Sequence, residues 1–150
     1  MKKFLAILLL LILILAISGC SIQQKTPEKP AFTPSYKVLE EKDISTGYAV
    51  RRTMRISVPL GLDRQTMQDN IMYAVKSIEN LYHRPDKGFV AEVYVFTHED
   101  AIKTNNGEYV NPVAECTYAP GGEWTNSVEK YSPEKMKSKI QIQEDYYNRK

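Results

Sequence analysis

The run Phe89-Val90-Ala91-Glu92-Val93-Tyr94-Val95-Phe96 constrains the fold of this chain more than any other stretch. It is apolar at nearly every position, and Glu92 alone distinguishes one side from the other. A strand of that kind needs cover on both faces or a central place in a sheet.

The flanking segments provide what such a strand needs. Upstream, Val50, Met54, Ile56 and Val58 share one parity, with Arg52 as an intruder among them, while Arg51, Thr53, Arg55 and Ser57 take the other. That alternation predicts a strand with a core face and a wet face, ended by Pro59. Between the two strands, Ile71, Ala74, Val75, Ile78, Leu81 and Tyr82 recur at helical spacing and form one apolar stripe. Asp63 is placed to cap the start of that helix, and His83, Arg84 and Pro85 mark its end. Tyr36–Ile44 predicts a further strand at an edge, followed by the turn Ser45-Thr46-Gly47. After Phe96, a short helical turn is expected over Ala101–Lys103, then a turn at Asn105-Asn106-Gly107. A strand over Glu108–Tyr118 follows, interrupted by Pro112. The end of the chain sends two signals. Ser132-Pro133-Glu134 reads as a helix start, whereas Lys139–Gln143 alternates as a strand does, and the strand is the expectation adopted. The fold class that follows is α+β, a two-layer sandwich. Four or five mostly antiparallel strands carry one long helix against one face.

The first twenty residues belong to a different problem. Lys2 and Lys3 precede fourteen uninterrupted apolar residues, Phe4–Ile17. As a helix the run is about 21 Å long, short of the roughly 30 Å hydrocarbon core. A basic pair, an apolar run of this length and small residues at its exit make a secretory signal peptide, expected over residues 1–19. Ile17-Ser18-Gly19-Cys20 resembles the bacterial lipobox. That resemblance implies cleavage before Cys20 and a diacylglycerol thioether on its sulfur. Two or more acyl chains give stable anchoring where a single chain does not. Ser21 differs from the aspartate that retains enteric lipoproteins at the inner membrane. The expected location is the cell envelope: the periplasmic face of the outer membrane in a Gram-negative source, or the outer face of the plasma membrane in a Gram-positive one. Pro27, Pro30 and Pro34 mark an extended tether from Cys20 to residue 35, with one domain over residues 36–150.

The signal peptide also explains the charge. The whole sequence has 20 basic and 18 acidic residues; losing Lys2 and Lys3 leaves 18 of each, so the mature chain is formally neutral. No basic stripe with interleaved aromatics remains, and nucleic-acid binding is not expected. Of the two cysteines, Cys20 is committed to lipid, which leaves Cys116 as an expected buried thiol with no disulfide partner.

Tyr118-Ala119-Pro120-Gly121-Gly122-Glu123-Trp124 is the most distinctive segment of the mature chain. Together with Tyr36-Lys37-Val38-Leu39, Asp43-Ile44-Ser45 and the arginine-rich strand ending in Val58-Pro59, it is similar to an uncharacterised family of small bacterial and phage-associated domains. Members are often lipoproteins, and the resemblance implies no catalytic residue. In physical terms, Pro120 and the two glycines permit a tight turn that returns Trp124 to the sheet, where it either caps the core or stacks on a ligand.

The candidate binding residues are therefore Arg51, Arg55 and Trp124. The two arginines share a strand face at a spacing of about 13 Å. On an open face they could hold a carboxylate or phosphate, or else pair with Glu92 or Glu115 on neighbouring strands. His83, His98 and Cys116 lack metal-ligand spacing, and no catalytic residue, metal or cofactor is expected. Glu92 is a candidate acid of raised pKa if buried. The expected function is a lipid-anchored binding or structural module whose partners, besides the membrane, are envelope proteins or glycans. The alternative is an envelope hydrolase or small-molecule sensor. It predicts a buried Arg51–Arg55 face and a polar pocket holding His98 or Cys116, whereas the binding module predicts an open face.

Overall fold

In the computed structural model, residues 32–148 are described; the expected signal peptide, the expected lipidation site Cys20 and most of the expected tether lie outside them. The compact unit begins at Phe32. Five strands form one sheet in sequence order: β1 (Lys37–Asp43), β2 (Ala49–Val58), β3 (Gly88–Thr97), β4 (Ala114–Pro120) and β5 (Met136–Ile142). A single α-helix, α1 (Arg64–Tyr82), lies between β2 and β3. All neighbours are antiparallel except β2 and β3, which run parallel from Ala49 beside Gly88 to Val58 beside Thr97. The helix explains the exception. Its 19 residues rise about 28 Å, close to the roughly 33 Å of the ten-residue β2, so the chain returns to the start of β2 before β3 begins.

The hydrophobic stripe of α1 faces the sheet. Met67, Ile71, Ala74, Val75 and Ile78 pack against Met54, Ile56 and Val58 of β2, Phe89, Ala91, Val93 and Val95 of β3, and Ala114, Cys116 and Tyr118 of β4. Each large apolar side chain buried there contributes about 1.5–3 kcal/mol. The helix opens as its sequence demands: Thr66 N–H donates to the Asp63 carboxylate at 2.9 Å, and Thr66 Oγ1 donates to its other oxygen at 2.6 Å. It closes at His83, whose ψ of 146° leaves the helical region just before Arg84-Pro85. Leu81 departs from the expected stripe and is 71% exposed, whereas Tyr82 beside it packs against the core.

β3 is buried on both faces, as its composition requires. On the face away from α1, Val90 and Phe96 are buried, and the ring of Tyr109 lies 5.5 Å from that of Phe96. The 3₁₀ turn Trp124–Val128 packs on the same side, so close that a Cβ at Gly88 would overlap the Ser127 carbonyl oxygen. Glu92 and Tyr94 occupy the gap between these two covers, half-buried.

Two local expectations are corrected, and the expected last strand is present with a turn ahead of it. β4 starts at Ala114 rather than Glu108, because Asn111 adopts a left-handed φ of 59° and Pro112 cannot donate to a ladder. Residues 101–103 form no helical turn; Lys103 instead bridges Tyr109 in an antiparallel pair across the Asn105–Gly107 turn. At the C-terminal end both signals are used in series: Pro133–Lys135 makes one 3₁₀ turn and β5 follows directly. Beyond β5, Tyr146 is buried against the loop after β2, accepting from Leu62 N–H at 3.0 Å and donating to the Pro59 carbonyl at 3.2 Å.

Part of the expected tether is also docked on the domain. Ser35 N–H donates to Asn70 Oδ1 at 2.8 Å, Asn70 is fully buried, and the Phe32 ring lies 6.2 Å from that of Tyr73. Among the described residues no helix is long and apolar enough to cross a membrane.

Candidate functional site

The sheet face away from α1 carries Arg51, Thr53 and Arg55 from β2, Glu92 and Tyr94 from β3, Glu115 and Thr117 from β4, and Lys139 and Gln141 from β5. Strand alternation puts them together. Covers at its two ends, the Trp124–Val128 turn and the Tyr109 loop, leave a polar strip between.

The two arginines do not act as a clamp. Arg51 Nη2 donates to Ser127 Oγ at 2.7 Å, and its guanidinium lies 5.4 Å from the centre of the Trp124 ring. Arg55 pairs with Glu40 of β1 at 2.6 Å and lies 5.7 Å from the Tyr94 ring. Their partners are thus Ser127 and Glu40, not the expected Glu92 or Glu115. Arg51 fastens the turn that carries Trp124, and Arg55 fastens the edge strand. Arg52, the intruder on the helix-side parity, is accommodated at the sheet margin. It stacks 3.8 Å from the Tyr82 ring centre and pairs with Asp43 at 2.9 Å.

Trp124 is half-buried and forms one wall of a depression of about 160 Å³. The other walls are Glu115 and Thr117 of β4, Lys139 and Gln141 of β5, and Gly122 with Glu123 from the turn. Gly121 and Gly122 have φ of 66° and 80°, which is how the chain reverses tightly enough after Pro120 to place the indole there. Lys139 Nζ lies 3.3 Å from Glu123 Oε1 across the rim. The side chains of Glu115, Thr117 and Gln141 make no hydrogen bond to any described residue. Beside the depression, burial holds the Glu92 carboxyl above its usual range, with Glu115 adding to the effect, although Tyr94 Oη donates to it at 3.1 Å. Burial and the same carboxylate push the Tyr94 phenol up to about 12.

The remaining sequence candidates are dispersed. Cys116 is 2% exposed on the helix side, and burial pushes its thiol up to about 12, away from thiolate chemistry at neutral pH. His98 Nδ1 is 2.9 Å from Ser57 Oγ, but Ser57 is 3% exposed inside β2. Among the described residues no group of three His, Cys, Asp or Glu side chains is arranged to hold a metal.

One polar cluster went unseen in the sequence. Glu79, 4% exposed on α1, accepts from Tyr118 Oη at 2.6 Å, Tyr131 Oη at 2.7 Å and Lys76 Nζ at 2.5 Å. His83 stacks on Tyr131 at 4.8 Å, and Phe89 meets both tyrosines edge to face. Burial alone would raise the Glu79 pKa; the hydrogen bonds from Lys76, Tyr118 and Tyr131 outweigh it and hold the carboxyl below its usual range. Burial, then the bond to Glu79, pushes Tyr131 up to about 12. Every strong acceptor in this cluster is occupied, so it serves as a pin joining α1, β4 and the segment after the Trp124 turn. The one available clue was that Glu79 follows Lys76 by three residues on the helix, a spacing shared by many solvent-exposed pairs.

Comparison of the chain with known protein families, with characterised proteins and with solved structures returns no match. The resemblance drawn from the Tyr118–Trp124 segment therefore rests on its motifs alone.

Proposed function

We propose that the chain is a lipid-anchored binding module of the cell envelope, tethered through Cys20 and using the sheet face away from α1 as its contact surface. The observation that carries this reading is the Trp124 depression. An aromatic wall stands there beside three polar side chains with no described partner, on a face that no α-helix among the described residues covers. Glu115 and Gln141 are exposed and Thr117 half-buried, so their hydrogen bonds go to solvent and can pass to a partner beside an aromatic fixed by its turn, which suits a contact surface. The alternative, a hydrolase or sensor with a pocket between helix and sheet, is weighed down by the packing of that space with Met67, Ile71, Val75 and Ile78, each fully buried. The depressions found on the surface at residues 43–87, 100–111, 112–143 and 115–141 are not lined by His98 or Cys116.

The contact surface is tested by a photo-crosslinking residue at Lys137, exposed on the same face beside the depression, against one at Asn80, on the exposed side of α1. In the native envelope, adducts are expected from position 137 and not from 80; monomer alone at both positions would count against the module. The anchor is tested separately. Globomycin should accumulate unprocessed precursor, and Cys20→Ala should abolish lipid labelling; labelling that survives the substitution refutes the lipobox.

A further inference from the structure

We infer that the ligand of the Trp124 depression is an uncharged, hydroxyl-rich glycan, one ring of which lies against the indole. The inference rests on the binding-face reading above and deepens it. Three features of the depression select this chemistry.

The first is its lining. Glu115, Thr117 and Gln141 offer a carboxylate, a hydroxyl and an amide beside one aromatic wall, with Lys139 and Glu123 at the rim. A sugar ring has an apolar C–H face that packs on an indole and a hydroxyl perimeter that both donates and accepts. Carboxylate and amide side chains match such a perimeter because each can engage adjacent hydroxyls together.

The second is charge. Lys139 and Glu123 are joined at 3.3 Å across the rim. Arg51, whose guanidinium lies 5.4 Å from the Trp124 ring centre, donates to the neutral Ser127 hydroxyl and keeps its charge, so Arg51 and Lys139 stand formally against Glu115 and Glu123. A surface with no net charge of either sign suits an uncharged ligand better than a phosphate- or carboxylate-rich polymer.

The third is size and surroundings. About 160 Å³ is smaller than the roughly 300–1,000 Å³ typical of pockets that engulf a small molecule. It suits one unit of a longer chain passing over the surface. A peptide would more naturally add to the adjacent edge strand, yet β5 presents exposed Lys137 and Lys139 along that edge, the pattern that discourages strand addition.

Trp124 is the only tryptophan in the sequence, so the protein's tryptophan emission reports this depression alone. The test titrates the purified full chain in detergent with chitotetraose, a neutral β-linked N-acetylglucosamine tetramer, and measures retention on insoluble chitin, the uncharged polymer of the same sugar. A saturable emission change and retention on chitin are expected. Glu115→Ala and Gln141→Ala should each weaken both at least tenfold with an unchanged circular-dichroism spectrum. Both side chains are exposed, so these variants are expected to fold even if Trp124→Ala does not. Absence of both responses would overturn the glycan assignment. If position 137 still yields crosslinks in that case, the face binds something else, protein included, and the module survives. If the crosslinks are also absent, both readings fall.

Discussion

Two polar clusters flank the same seven-residue segment, and their difference is instructive. Tyr118 opens the segment and projects toward α1, where its hydroxyl meets Glu79 and Lys76. Trp124 ends it on the opposite side of the sheet, beside Glu115 and Thr117. The first cluster is closed: a buried carboxylate receives three donors, and aromatic rings seal it. The second is unfinished: its aromatic is held in place, but neighbouring donors and acceptors have no described partner. Carboxylates, hydroxyls and aromatics occur in both, so residue type does not separate the two. Saturation does. A polar group whose capacity is consumed within the domain holds the fold, whereas exposed Glu115 and Gln141, with capacity to spare, are the groups the proposed contact surface would use.

Breaking the closed cluster should produce the largest effect. Glu79→Ala leaves Tyr118 and Tyr131 hydroxyls without their acceptor and detaches the segment around Tyr131 from α1. A loss of about 2–4 kcal/mol is expected in urea unfolding. An undisturbed midpoint would mean the cluster is decorative and the contrast drawn above is unsound. Glu115→Ala, on the open side, should change stability by no more than about 0.5 kcal/mol.

The link between the clusters is next. Gly88 begins β3 with the Ser127 carbonyl oxygen against its Cα, so Gly88→Ala must push the Trp124–Val128 turn off the sheet. We expect a cost of about 1–3 kcal/mol and a shift in Trp124 emission. A glycine replaced here without any change in emission would show that the turn is not what positions the indole.

Much of this architecture was legible in advance, and the gaps have physical causes. The double-sided burial of β3 could be read from Phe89–Phe96, and the cap of α1 from Asp63, because both follow from local pattern. The pattern at Glu108–Tyr109 places the start of β4 too early because Tyr109 does pair, but with Lys103 in a bridge of its own, which mimics the onset of a strand. The arginine partners escape the sequence for a different reason. The choice between Glu40 and Glu92 for Arg55 depends on strand order, and a β-bulge between Val38 and Glu40 resets the parity of β1 so that Glu40 reaches the open face. Glu79 was invisible because its two tyrosine donors lie 39 and 52 residues away. Trp124 was visible as a turn-borne aromatic, but the side chains around it come from three separate elements that only the sheet register assembles.

The smallest effect offers the finest discrimination, since the two clusters differ in the sign of their response to pH. Glu79 has its pKa lowered in the folded state, so the unfolded chain binds more protons between the two values. Its stabilisation is present above the unfolded value and fades as pH falls through the folded one. Glu92 has its pKa raised by burial, so the folded chain holds the proton longer, and stability is lost as pH rises from the unfolded value through the folded one. Glu92→Gln removes that loss while keeping the side chain's shape and an acceptor for Tyr94. At pH 7 the variant should match or exceed the parent in stability, by about 0.5 kcal/mol, whereas at pH 4 the advantage should vanish. Urea midpoints measured at both values check this. A variant equally destabilised at both would place Glu92 among the groups that hold the fold, and the unfinished character of the open face would then be confined to Glu115, Thr117 and Gln141 around the indole.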